Sequence, residues 1–362
     1  MAALAALAGA LVGAGAGEER PPTSSQAAIP EACQGAGGEA WGRLAGQRIV
    51  VRTDGTPDSA LLRRARSGQI AGVIVFPAVG VEQPRIEEGI KGLQRAAKAG
   101  GHPPLVVATD QEGGPVKRFP ADPPLRSPYS LGETGDPADA RLEGAATGNF
   151  LRGLGINTDL APVLDVPASA EAVISLRAFG TDAERVSALG LAFADGLAQE
   201  RVLATAKHFP GLGQSVLNTD FSPSEIEASR GDLREDLAPF RDAIAREVPL
   251  IMVGNASYPA LGADGPAALQ AAIAQRLLRE RLGFEGVSIS DDLQAGALEA
   301  AYDSVEAAER AARAGVDLLL FAGDSAPDVY ERLSRALDRG TLDAAAARES
   351  CVRVVELRES LR

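Results

Sequence analysis

Val202-Leu203-Ala204-Thr205-Ala206-Lys207-His208-Phe209-Pro210-Gly211-Leu212-Gly213 decides the fold. An apolar run long enough for one buried strand ends in a cation and an imidazole, then opens into a glycine-bearing loop. Strands apolar on both faces belong to parallel sheets covered by helices. Seven other runs share this form: Arg48–Arg52, Gly72–Phe76, Leu105–Thr109, Ile156–Ala161, Leu250–Gly254, Gly286–Ser290 and Asp317–Phe321.

Helix grammar fills the gaps between them. Pro84 to Ala99 has proline inside its start and Gly100-Gly101 past its end. Asp136-Pro137 opens a second helix that ends near Gly155, and Thr181 or Asp182 caps a third through Gln199. Further helices are predicted over Leu233–Arg246, Leu269–Arg281, Ser304–Ala314, Asp328–Arg339 and Asp343–Leu361. Eight βα units without a composition break predict an α/β fold, a single (β/α)8 TIM barrel. An open doubly wound sheet is the alternative. It would want a glycine-rich phosphate loop after the first strand, which Thr53-Asp54-Gly55-Thr56-Pro57 does not supply.

The barrel is expected to occupy residues 31–362. Residues 1–30 read as a secretory leader and linker: Ala2 to Gly17 is uncharged and apolar, and Ala14-Gly15-Ala16 offers a small-residue cleavage site. No Lys or Arg precedes the run, so an anchor or a misassigned start also fits. No other segment has eighteen uninterrupted apolar residues, so the mature chain should lack a membrane span. Export permits a disulfide between Cys33 and Cys351 if the barrel brings its ends together; two free thiols are the alternative.

A formal net charge of −13 argues against nucleic acid or an anionic membrane surface as partner. Aromatic content of 4% means that a bound sugar would rely on polar contacts more than on ring stacking. Two histidines, with no carboxylate pair at ligand spacing, give no metal site. No cofactor is expected, and the chain should act as a monomer.

In such a barrel, chemistry gathers at the C-terminal ends of the strands. Strand three ends in Asp110, and strand four runs through Asp159 towards Asp165. Strand five delivers Lys207 and His208, strand six Asn255, and strand seven Asp291-Asp292. Asp292 could instead cap the following helix. Converging charges cost desolvation, so their coincidence at five strand ends points to a site. A rigid carboxylate beside hydrogen-bonding groups suits glycoside hydrolysis. Asp110 would accept from sugar hydroxyls, and Arg118, Arg177, Lys207 and His208 would donate.

These residues resemble glycoside hydrolase family 3, specifically its single-domain β-N-acetylglucosaminidases of the bacterial cell-wall recycling type. The likeness lies in Asp110-Gln111-Glu112-Gly113-Gly114-Pro115-Val116-Lys117-Arg118-Phe119, Ala161-Pro162-Val163-Leu164-Asp165-Val166, Arg177-Ala178-Phe179-Gly180, Lys207 to Gly213, Tyr258-Pro259-Ala260 and Ser290-Asp291-Asp292-Leu293. It implies a retaining mechanism with Asp291 as nucleophile, and sugar binding by Asp110, Arg118, Arg177, Lys207 and His208. Asn255 joins the binding set from its place at the rim. The preference for N-acetylglucosamine rests on this likeness alone.

One element departs from the family pattern. The family's acid/base histidine, paired with an aspartate two residues earlier, lies on the loop after strand five. Here Asn218 and Asp220 stand at those positions, and the chain's other histidine, His102, precedes strand three. Three accounts follow. Asp220 acts as a substituted acid/base, carried by Gly211 and Gly213 as hinges; the barrel binds glycan as a sensor or scaffold; or it turns over only substrates whose leaving groups depart easily.

Overall fold

The computed structural model describes residues 29–229, 231–323 and 326–362. The leader-like segment lies almost wholly outside them.

Eight parallel strands form the frame: β1 (Ile49–Thr53), β2 (Gly72–Val75), β3 (Val106–Thr109), β4 (Thr158–Asp159), β5 (Leu203–Phe209), β6 (Leu250–Val253), β7 (Val287–Ser290) and β8 (Leu319–Phe321). Neighbours pair in the order β7-β6-β5-β4-β3-β2-β1-β8. A parallel bridge between Ile289 and Leu318 brings the two ends together. All eight predicted strands are present, and the barrel reading holds over the open sheet.

Alternate strand residues face opposite ways and build two cores. Val50, Ile74, Val106, Ala108, Met252, Ile289 and Leu320 pack with one another inside the barrel. Val51, Val73, Val75, Val107 and Ile251 join the larger layer beneath the helices. Most strand positions are thus apolar and covered on both faces, which is why the runs read as continuous rather than alternating.

Two strand boundaries differ from expectation for local reasons. β5 runs on to Phe209, so Lys207 and His208 lie within the strand rather than after it. β4 is only two residues long, and beyond it the pairing with β5 loses its regular register, the Thr205 amide donating to the Ala161 carbonyl at 2.8 Å and the Lys207 amide to that of Pro162 at 3.1 Å. The chain nevertheless stays beside β5, since Leu164 donates to the Lys207 carbonyl at 2.7 Å.

Among the helices, Asp182 caps Ala183–Gln199 by accepting the Arg185 amide, which settles the choice between Thr181 and Asp182. The expected Leu233–Arg246 helix is two pieces, Asp232–Asp236 and Ala238–Ala245, with Pro239 near the start of the second. The expected Leu269–Arg281 helix is likewise split. A 3-10 turn over Ala267–Leu269 precedes a π-helix over Ala272–Arg281, and Gln270 between them is extended. Helices over Gly38–Gly46, Ser59–Arg66 and Pro128–Thr134 were not expected.

The first and last described segments meet at the lower end of the barrel. Cys33 and Cys351 form a disulfide across 318 residues of sequence. Arg358, wholly buried, donates to the carbonyls of Pro103 at 2.7 Å and Pro104 at 2.8 Å. His102 lies at this lower end, packed against Gly68 and far from the strand tips. Among the described residues, no helix is long and apolar enough to cross a membrane.

Candidate active site

The site begins with a tight turn. Residues Gln111–Gly113 pair antiparallel with Val116–Lys117, and the connection uses Gly113 at φ 95° and Gly114 at φ 60°. Those left-handed conformations suit glycine. The turn folds Arg118 back so that its amide donates to the Asp110 carbonyl at 3.1 Å and its guanidinium reaches Asp110 Oδ2 at 2.9 Å. Phe76, just past β2, lies 4.1 Å beneath that guanidinium and also carries Arg52 at 5.0 Å.

Asp110 and Glu112 are two residues apart in extended chain, so their side chains share a face. Lys207 Nζ bridges them, at 3.0 Å from Asp110 and 2.6 Å from Glu112. Arg177, from the loop after β4, closes on Glu112 with two bonds of 2.9 and 2.8 Å. Burial alone would push both carboxyls up. Lys207 and Arg118 hold Asp110 below its ordinary value, and Arg177 and Lys207 bring Glu112 to about 2. Lys207, although buried, is raised by the same two carboxylates. It therefore stays a cation.

Asp165 organises the next segment. Its Oδ2 lies 2.7 Å from His208 Nδ1, while Oδ1 accepts the amides of His208 at 3.1 Å and Leu212 at 2.7 Å. That leaves His208 Nε2 on the side of Arg177, 3.4 Å from its guanidinium. Tyr258 donates to the Gly211 carbonyl at 2.9 Å and holds the loop from the other side.

Asp291 follows β7 directly, and its Oδ1 accepts the Asp292 amide at 2.8 Å. Burial raises its pKa and the Asp220 charge adds to the rise; His208 and Lys207 oppose it. Asp291 thus shares one electrostatic environment with His208, Lys207 and Asp220. Asp220 itself is solvent-exposed, on a turn in which Asn218 Oδ1 accepts its amide at 2.9 Å. Its carbonyl accepts the Gly296 amide at 2.9 Å, so the turn is docked on the segment after Asp291.

Asp110, Arg118, Arg177, Lys207 and His208 therefore form one continuous network, with Asp291 and Asp220 beside it. Two expectations need correction, for Asp292 and for the loop glycines, and Asn255 gains a structural partner. Asn255 is buried; its Nδ2 donates to the Asp292 carbonyl at 2.8 Å and braces the β7 loop, while its Oδ1 has no hydrogen-bond partner among the described residues. Asp292 caps no helix: its Oδ1 accepts the amides of Gln294 and Ala322, both at 3.0 Å, and ties the ends of β7 and β8 together. Gly211 and Gly213 do not stand free as hinges. A Cβ on Gly213 would lie 1.9 Å from the Val166 carbonyl oxygen, and one on Gly211 would lie 2.7 Å from Asp236 Cβ. Both glycines permit close packing.

Three carboxyls gain importance from the structure. Glu112 is visible in sequence only as the i+2 partner of Asp110. Asp159, fully buried below Lys207, has its pKa raised to about 8 by burial. Asp236, behind Gly211, is raised to about 7, mainly by burial and then by Asp165.

Comparison with known proteins adds an independent finding. Residues 51–357 match the model of the glycosyl hydrolase family 3 N terminal domain. An uncharacterized secreted glycosyl hydrolase of Arthroderma benhamiae is 36% identical over 328 residues, covering 88% of this chain and 93% of the relative. A beta-hexosaminidase of Bordetella parapertussis is 33% identical over 282 residues, covering 75% of this chain and 78% of the relative. The glycoside hydrolase family 3 beta-N-acetylglucosaminidase of Paenibacillus sp. str. FPU-7 superposes with a TM-score of 0.84 at 29% identity over 91% of this chain, which spans 63% of that longer protein.

Proposed function

Because the chain belongs to glycoside hydrolase family 3 and is a glycosidase, we propose that it removes terminal β-linked N-acetylglucosamine from cell-wall or related glycans with retention of configuration. Asp291 Oδ attacks C1 as the glycosidic C1–O bond breaks, giving a glycosyl ester that water then cleaves. Asp220 supplies the proton to the leaving oxygen and later accepts one from the attacking water. Asp110, Arg118, Arg177, Lys207 and His208 grip the ring hydroxyls.

The observation that carries this reading is the buried network at the strand ends, where Lys207 bridges Asp110 and Glu112 and Asp165 holds His208, with Asp291 following directly on the end of β7. Lys207 and Arg177 stay charged through Glu112, which preorganises donors for the sugar without reorganisation during reaction. Action outside the cytoplasm is supported by the Cys33–Cys351 disulfide and by the relative described as secreted. The absent loop histidine and the exposure of Asp220 favour one second reading, a catalytically impaired barrel that binds glycan as a sensor or scaffold.

The test is hydrolysis of 4-nitrophenyl N-acetyl-β-glucosaminide followed by proton NMR. The β-anomer should appear first. Binding of N-acetylglucosamine without release of nitrophenol would favour the sensor reading.

A further inference from the structure

The loop after β5 carries three apolar side chains that no core covers. Val216 is 65% exposed, Leu217 49% and Phe221 81%. With only ten phenylalanines in 362 residues, placing one in water beside a catalytic mouth is a specific use.

The backbone beneath these side chains is fixed. Ser215 Oγ lies 2.6 Å from Ser224 Oγ and donates to the Leu217 carbonyl at 2.7 Å, which closes the loop at its base. The Asn218 carbonyl accepts the amides of Phe221 and Ser222, both at 3.1 Å. On the outer side Ala297 donates to the Thr219 carbonyl at 3.1 Å. Gly296 permits this contact, since a Cβ there would stand 2.5 Å from the Phe221 carbonyl oxygen. The ring of Phe221 is thus presented to solvent from a pinned turn, one residue from Asp220.

We propose that Val216, Leu217 and Phe221 form an aglycone subsite that receives an apolar, aryl-bearing leaving group. The inference rests on the glycosidase reading above and changes one part of it, the leaving group, from a second sugar to an aryl-bearing aglycone. A group that protonates the glycosidic oxygen marks where the aglycone begins, and Phe221 adjoins Asp220 on the solvent side. Three exposed apolar side chains within six residues, on a loop at the strand ends, offer a surface that a ligand can cover. An aryl aglycone also suits a loop without imidazole. As the C1–O bond breaks and the bond from C1 to Asp291 forms, an aryl oxide leaves with less need of a proton than a sugar alkoxide. The proton it finally takes comes from Asp220 or water.

The test compares two non-hydrolysable S-glycosides of N-acetylglucosamine, phenylethyl and methyl, by calorimetry on the full chain. The phenylethyl compound should bind about tenfold more tightly, the scale of one aromatic contact. Phe221→Ala should bring the two within about twofold while leaving the methyl compound's affinity unchanged; Leu217→Ser should act in the same direction. Equal affinities for both compounds in wild type, with the aryl glucosaminide still hydrolysed, would overturn the subsite and leave the glycosidase reading standing. Concentration-dependent self-association lost in Phe221→Ala, with no difference between the glycosides, would assign the patch to a second copy of the chain. If neither compound binds and no aryl glycoside is hydrolysed, both readings fall.

Discussion

Lys207 Nζ and Glu112 Oε1 lie 2.6 Å apart, both side chains almost wholly withdrawn from water, and Arg177 closes on the same carboxylate. A buried ion cluster of this kind is costly to break from one side, because the partner charges remain. Glu112→Gln should therefore destabilise the fold by about 3–5 kcal/mol and raise KM for aryl substrates. The pH dependence has a defined sign. Glu112 titrates near 2 in the fold against 4.5 ordinarily, so its stabilisation is present above the ordinary value and lost as pH falls from there towards 2. Urea unfolding of wild type and variant should show a gap that narrows across this range. A constant gap would remove Glu112 as its source.

Asp291 and Asp220 are coupled in a way that kinetics can read. An acid at Asp220 must stay protonated while Asp291 ionises, so Asp220→Asn should leave the acid limb of kcat/KM, set by Asp291, in place and remove the basic limb. The same variant should slow substrates with poor leaving groups by about 10²–10⁴-fold and good ones far less, the signature of a lost general acid. Equal slowing of both, with the basic limb kept, would exclude Asp220 from proton transfer.

Much of this was legible in the chain because each barrel strand is a short apolar run ending in a polar tip. Lys207-His208 after Val202–Ala206 shows both the strand and its business end. The breaks were harder to see. Leu233–Arg246 reads as one helix only if Pro239 is passed over, since a proline has no amide for a helix interior and sits instead in the first turn of Ala238–Ala245. Asn255 and Asp292 look like site residues from their positions. Only the fold reveals that one amide braces the carbonyl of the other. Glu112 went unnoticed as a binding partner because its importance lies in contacts with Lys207 and Arg177, 95 and 65 residues away in sequence.

Asp159 offers a test of the barrel interior. Burial raises its pKa from 3.8 to about 8, so the fold favours the neutral acid and loses stability as pH rises across that interval. Asp159→Asn removes this dependence. The variant should be at least as stable as wild type at pH 8, with the difference shrinking towards pH 4. Greater loss of stability in the variant at pH 8 than at pH 4 would show that the ionised carboxylate is the native form.

The disulfide should stabilise without touching the chemistry. Cys33→Ser with Cys351→Ser should cost about 2–5 kcal/mol and leave KM and kcat unchanged at a temperature where the variant is folded. A change in KM would mean that the lower end of the barrel communicates with its mouth.

The central claim is that Asp291 forms a bond to the sugar. A slow fluorinated substrate, 5-fluoro-N-acetyl-β-glucosaminyl fluoride, should trap a one-to-one covalent adduct visible in the intact mass, and peptide mapping should place it on Asp291. An adduct on another carboxylate, or turnover to the inverted anomer without any adduct, would contradict the account.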